Sequence, residues 1–121
     1  MKIGLVTDSL GHLPFEHLLA TAAGLGPAIH HVHAKDTRII AENAAVNSMI
    51  DTTPMVELAA RSWAYVTLGH GHDAAWWTQF CGALRAAGYH DVLSIEHEDL
   101  ALSPGAGVAQ SVALLNQARL G

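Results

Sequence analysis

Residues 89–99, YHDVLSIEHED, constrain this chain most, because they set a carboxylate where a buried strand gives way to a loop. Val92, Leu93, Ser94 and Ile95 form a short apolar run rich in β-branched residues, with Gly88 before it and polar residues from Glu96 to Asp99 after it. That pattern predicts a strand buried on both faces. In parallel α/β sheets ligands gather at the carboxyl ends of strands, so Glu96, read as the last position of this strand, stands where ligands bind. The alternative is that Glu96 is only the first solvated residue of a loop. A second strand end of the same kind, at His33, weighs against it.

The 121 residues suffice for one domain with one core. Half are hydrophobic and 14% are charged, a globular composition. A formal charge of −5 without a Lys/Arg cluster disfavours nucleic acid and anionic membranes as partners, since both demand a basic surface. The start, MKIGLVTDSLGH, reaches Asp8 too soon for a signal-peptide core, and no long apolar run follows, so a cytoplasmic location is expected. The single Cys81 sits in a helical pattern and reads as a small core residue. Nine histidines are the compositional oddity.

In chain order, residues 2–7 read as a strand and 14–25 as a helix, with Pro14 in its first turn and Phe15, Leu18, Leu19 and Ala22 on one face. Residues 28–34 read as a strand whose alternation sets His31, His33 and Lys35 on one side. From 36 to 61 the pattern is irregular, and a long loop with one helical turn is expected. Residues 62–68 fit a short strand or an ordered loop limb. Asp73 is a good N-cap for a helix over 74–87 that buries Trp77, Phe80, Cys81 and Leu84 and ends at Gly88; of the adjacent Trp76 and Trp77, at most one faces the core. Ser103 and Pro104 open a last helix with Val108, Val112 and Leu115 on its inner face. The expected class is α/β, with three or four mostly parallel strands and about three helices in a single domain, 1–121.

Two motifs could carry chemistry. In HHVHAKDT, residues 30–37, two imidazoles on one side of a strand suit a divalent metal, although a strand histidine is more often a packed one. HED, residues 97–99, follows Glu96, and joined with His33 these strand ends mix nitrogen and oxygen donors, a set suited to Mn, Zn, Co or Fe better than to Ca. GHGHD, residues 69–73, reads as a tight turn with an N-cap; a glycine pair before a helix can also cradle an anion.

Together these residues resemble the xylose isomerase-like TIM barrels, the sugar phosphate isomerase/epimerase family. HHVHAKDT is similar to that fold's seventh strand, GHGHDAAWWTQFCGALRAAGYHDVLSIEHED to its seventh helix and eighth strand, and MKIGLVTDSLGHLPFEHLLATAAGLG to its first strand and helix. The resemblance implies His33 and Glu96 as ligands of a divalent metal (Mn, Zn, Co or Mg), with Glu96 also moving a proton in an aldose–ketose or epimerase reaction on a small sugar. His31, Lys35, Asp36 and His72 are further candidate contacts to substrate or metal. Strands two to six, with half of the family's metal site and its second acid–base group, have no counterpart, so weak or no isomerase activity is expected. The alternative is a non-catalytic metal-binding or structural module. A truncated barrel cannot close alone, and a homodimer or larger homo-oligomer is expected to complete or cover it.

Overall fold

The computed structural model describes residues 15–120. The strand expected over 2–7, the first-turn role of Pro14, and the face assigned to Phe15, Leu18, Leu19 and Ala22 lie outside what is described. Helix α1 (Phe15–Leu25) runs through a 3-10 turn into β1 (Val32–Ala34), and β2 (Asp36–Ile39) follows after Lys35. Then come α2 (Ala41–Asn47), β3 (Trp63–Val66), α3 (Ala74–Ala86), β4 (Leu93–Ile95) and α4 (Pro104–Ala118). The architecture is mixed α/β.

Two pairings organise it. β1 and β4 are parallel, with Val32 opposite Leu93, His33 opposite Ser94 and Ala34 opposite Ile95. β2 and β3 are antiparallel, with Asp36 opposite Val66 and Ile39 opposite Trp63. The expected loop over 36–61 thus holds a strand and a short helix. Thr37, Arg38 and Ile39 pair with a segment that lies more than twenty residues on, and Ile40 prolongs the ladder by donating to the Ser62 carbonyl at 2.8 Å.

Helix α3 shows why its bounds were legible. The Asp73 carboxylate accepts the Trp76 N–H at 2.8 Å, satisfying one of the amides that a helix start leaves free. At the other end Gly88 takes φ +82°, Gly88 N–H donates to Arg85 O and Tyr89 N–H to Leu84 O, each at 2.9 Å, which is a Schellman closure. Trp77, Cys81 and Leu84 are buried one turn apart, while Phe80 and Trp76 are half-buried against that stripe. The core joins them to Ala34, Leu68, Leu115 and Ala118. Ser103 caps α4, its hydroxyl accepting from Ala106 N–H at 3.4 Å.

Two expectations about packing are corrected. The buried residues of α4 are Gly107, Ser111, Leu115 and Ala118, so of the expected face only Leu115 is inside, and Val108 and Val112 are exposed. The His97 ring explains Gly107, since a Cβ there would lie 1.9 Å from its Cε1. β4 is half-buried rather than buried on both faces, and Val92 is 64% exposed.

Candidate functional site

Alternation along β1 sorts its side chains by face. Ala34, packed in the core with Trp77 and Leu115, and Asp36, two residues on, are 0% exposed, while His33 is exposed and Lys35 half-buried. Glu96 N–H donates to Ala34 O at 3.0 Å, which places Glu96 just past the carboxyl end of β4, beside the end of β1. There His33 Nδ1 lies 2.5 Å from Glu96 Oε1, with the two side chains 56% and 40% exposed. Lys35 Nζ stands 3.3 Å from Glu96 Oε2 and 3.0 Å from Glu98 Oε1, and 3.7 Å above the centre of the Tyr65 ring. The expected pair is brought together.

Charge at this rim is held in defined states. The hydrogen bond from His33, then the one from Lys35, lowers the Glu96 carboxyl below its ordinary value against a smaller opposing effect of burial. Burial pulls the Lys35 ammonium down, but hydrogen bonds to Glu98 and Glu96 outweigh it and raise it. Glu96 is therefore a carboxylate at neutral pH and Lys35 an ammonium ion. His31 stands beside the pair, its ring centre 4.8 Å from that of His33 in an edge-to-face arrangement.

Asp36 and His72 meet each other elsewhere. Asp36 accepts N–H bonds from Thr37 (2.9 Å), Gly69 (2.9 Å), Gly71 (3.1 Å) and His72 (3.1 Å), and lies 2.7 Å from His72 Nδ1. The GHGHD turn does cradle an anion, and the anion is the chain's own Asp36 carboxylate. Gly71 makes this possible, because a Cβ there would fall 2.3 Å from the Thr37 carbonyl oxygen. The His72 ring also lies against Trp76, with ring centres 4.3 Å apart. With its oxygens so occupied, Asp36 is an anchor for the loop that opens α3.

Sequence reasoning gave three groups no individual role. Tyr65 was unplaced because its strand was undecided, although the alternation of WAYV carried the signal. Glu98 joins the rim through Lys35. Asp99, the last residue of HED, is buried and accepts the Thr67 N–H and hydroxyl, each at 2.8 Å, and the Ala101 N–H at 2.8 Å. Burial raises its pKa, but these bonds outweigh burial and leave it below the ordinary value.

The donors at the rim can serve a cation in part. An imidazole nitrogen and a carboxylate oxygen are a suitable mixed set, but ligands at about 2.1 Å from one metal stand roughly 3 Å or more apart. The pair must open slightly, and its exposure gives it room. Among the described residues no group of three or more His, Cys, Asp or Glu side chains is gathered to hold a metal.

The fold and rim define a mixed α/β domain with its polar cluster at the carboxyl ends of two parallel strands. No protein-family model matches the chain. It is 43% identical over 99 residues to the uncharacterized protein YfiH of Bacillus subtilis (strain 168), in an alignment covering 82% of this chain and 32% of that protein. The chain thus spans about a third of its relative's length. Among the described residues, no helix is long and apolar enough to cross a membrane.

Proposed function

We propose that the chain is a truncated TIM-barrel-like domain of the xylose isomerase-like kind, bearing the late-strand half of a divalent-metal site for a sugar isomerase or epimerase. The observation that supports this most is the contact of His33 Nδ1 with Glu96 Oε1 at 2.5 Å, across the ends of two neighbouring parallel strands. His33 and Glu96 would hold the ion, with water, His31 or a second copy of the chain completing its shell. A bound divalent metal would supply Lewis acidity that polarises the carbonyl of a small hydroxy-carbonyl substrate. Glu96, kept deprotonated by its neighbours, is the base of this reading, and Lys35 holds its second oxygen. A single base predicts turnover far below the median enzyme value of about 10 s⁻¹.

One observation favours a second reading, a non-catalytic module that self-associates. Each His33–Glu96 pair offers a metal only two protein ligands, and the other acids near β1 and β4 are engaged with Lys35 or with backbone amides. Metal content separates the two readings. After equilibration with Mn, Zn or Co and removal of free ion, the non-catalytic reading expects none, whereas the metal reading expects a bound ion that His33→Ala and Glu96→Gln each remove. Retention of the ion by both variants would sink the His33–Glu96 assignment.

A further inference from the structure

Both oxygens of the Glu96 carboxylate are engaged, and the two partners differ in what they could do for a metal. His33 Nδ1, at Oε1, is an imidazole nitrogen and can itself become a ligand. Lys35 Nζ, 3.3 Å from Oε2, is an ammonium with donors and no lone pair, so it can only compete with a second cation for the same oxygen. It does not compete as a loose surface chain, since the Lys35 side chain is 23% exposed. Three groups converge on its Nζ. Glu96 and Glu98 reach it from the stretch that follows β4, Glu98 being the nearer at 3.0 Å, and the Tyr65 ring of β3 lies beneath it, 3.7 Å away at its centre.

We propose that Lys35 is an internal competitor for the cation site at His33 and Glu96, with Glu98 and Tyr65 forming the place to which its ammonium withdraws when a divalent ion takes Glu96. This control presupposes the metal reading of the His33–Glu96 pair. A lysine paired with Glu96 alone would be stranded once the carboxylate was taken, and its charge would stand unopposed beside the ion. Lys35 instead keeps its shorter ion pair and an aromatic face, which attracts a cation through the ring quadrupole. Without the ion, the same ammonium lies between two carboxylates that would otherwise repel each other. The rim is thus closed by the chain's own cation and opens by exchange of one cation for another. Tyr65 is the telling member of the cluster, because its ring adds no ion pair and meets the rim through Lys35.

Zinc titration of the 121-residue chain, with affinity read at the His33 ring-nitrogen resonances, tests this without any substrate. Lys35→Met keeps an unbranched side chain but removes the charge, and is expected to tighten zinc binding roughly tenfold or more by relief of like-charge repulsion. Tyr65→Leu takes away the ring's hold on the ammonium and is expected to weaken zinc binding about threefold, the worth of an exposed cation–π contact. Tyr65→Phe keeps a ring face and is expected to match the parent. In a Lys35→Met background Tyr65→Leu is expected to have no effect, and this non-additivity separates withdrawal of the ammonium from a change in the field at large. Circular dichroism checks that each variant keeps the parent's helical content; should Tyr65→Leu lose it, Lys35→Met still decides whether Lys35 competes. Zinc held equally or more weakly by Lys35→Met would show that Lys35 orients Glu96 and does not compete for it. No loss from Tyr65→Leu in the parent, or the same loss in both backgrounds, would show that the ring takes no part in holding a withdrawn ammonium. Either result overturns the proposal and leaves the metal site standing. Zinc bound at His33 by neither the parent nor Lys35→Met would sink the metal reading itself, and the competition with it.

Discussion

Lys35 and Asp36 are neighbours in sequence and stand for two regions built on opposite principles. On the face of Lys35, the side chains of His33, Glu96 and Glu98 are partly exposed and are satisfied by one another and by Lys35. On the face of Asp36, and again at Asp99, a buried carboxylate is satisfied largely by backbone N–H groups. The difference decides what each carboxylate can do. A side-chain partner can swing away and yield its place to a ligand, but a backbone amide cannot move without unfolding its loop. The rim is exchangeable; the anchors are fixed.

The strongest way to break this contrast is Asp36→Ala. It leaves the amides of Gly69, Gly71 and His72 without their acceptor, and the expected loss is about 3 kcal/mol or more by denaturant unfolding. Glu96→Gln, at an exposed pair, is expected to change stability by less than about 1 kcal/mol. Equal effects from the two substitutions would erase the distinction.

Gly71→Ala tests the same anchor sterically. Its Cβ would stand 2.3 Å from Thr37 O and 2.5 Å from Asp36 Oδ1, and overpacking of this kind costs about 1–3 kcal/mol. A thermal midpoint equal to that of the parent would mean that the turn relaxes freely. The smallest effect is expected at Asp51, whose carboxylate accepts the Ser62 N–H at 2.5 Å and the Thr53 N–H at 2.8 Å. These bonds, that of Ser62 foremost, lower its pKa from 3.8 to about 2. Because the folded value is the lower one, its contribution is present above the unfolded value and fades as pH falls toward about 2. Amide exchange of Thr53 and Ser62 is expected to quicken across that window, and unchanged exchange would count against an ionised anchor.

What was legible in the sequence follows the same division. Local chemistry was readable, as the Asp73 cap, the Gly88 stop and the buried stripe of Trp77, Cys81 and Leu84 demonstrate. The meeting of His33 with Glu96 was readable too, because two strand ends of similar polarity suggested neighbours. Contacts set by distant partners were not. β2 pairs with β3 across an irregular segment, and nothing in Thr37 or Arg38 alone announces it. Asp36 reads as a ligand in HAKDT because its partners are main-chain amides, which carry no residue signature. On α4 a hydrophobic pattern favours Val108 and Val112, whereas the His97 ring demands Gly107, and Ser111 earns its buried place through its contact with Leu68 N–H at 3.4 Å.

The central claim is that the His33–Glu96 contact is an exchangeable site and the Asp36–His72 contact is not. Titration of the chain with zinc, followed through the ring-nitrogen resonances of its nine histidines, tests this most directly. The account predicts that His33 shifts first and saturably, that Glu96→Gln removes the shift, and that His72 stays in place. Zinc that moves His72 while His33 is untouched would contradict it.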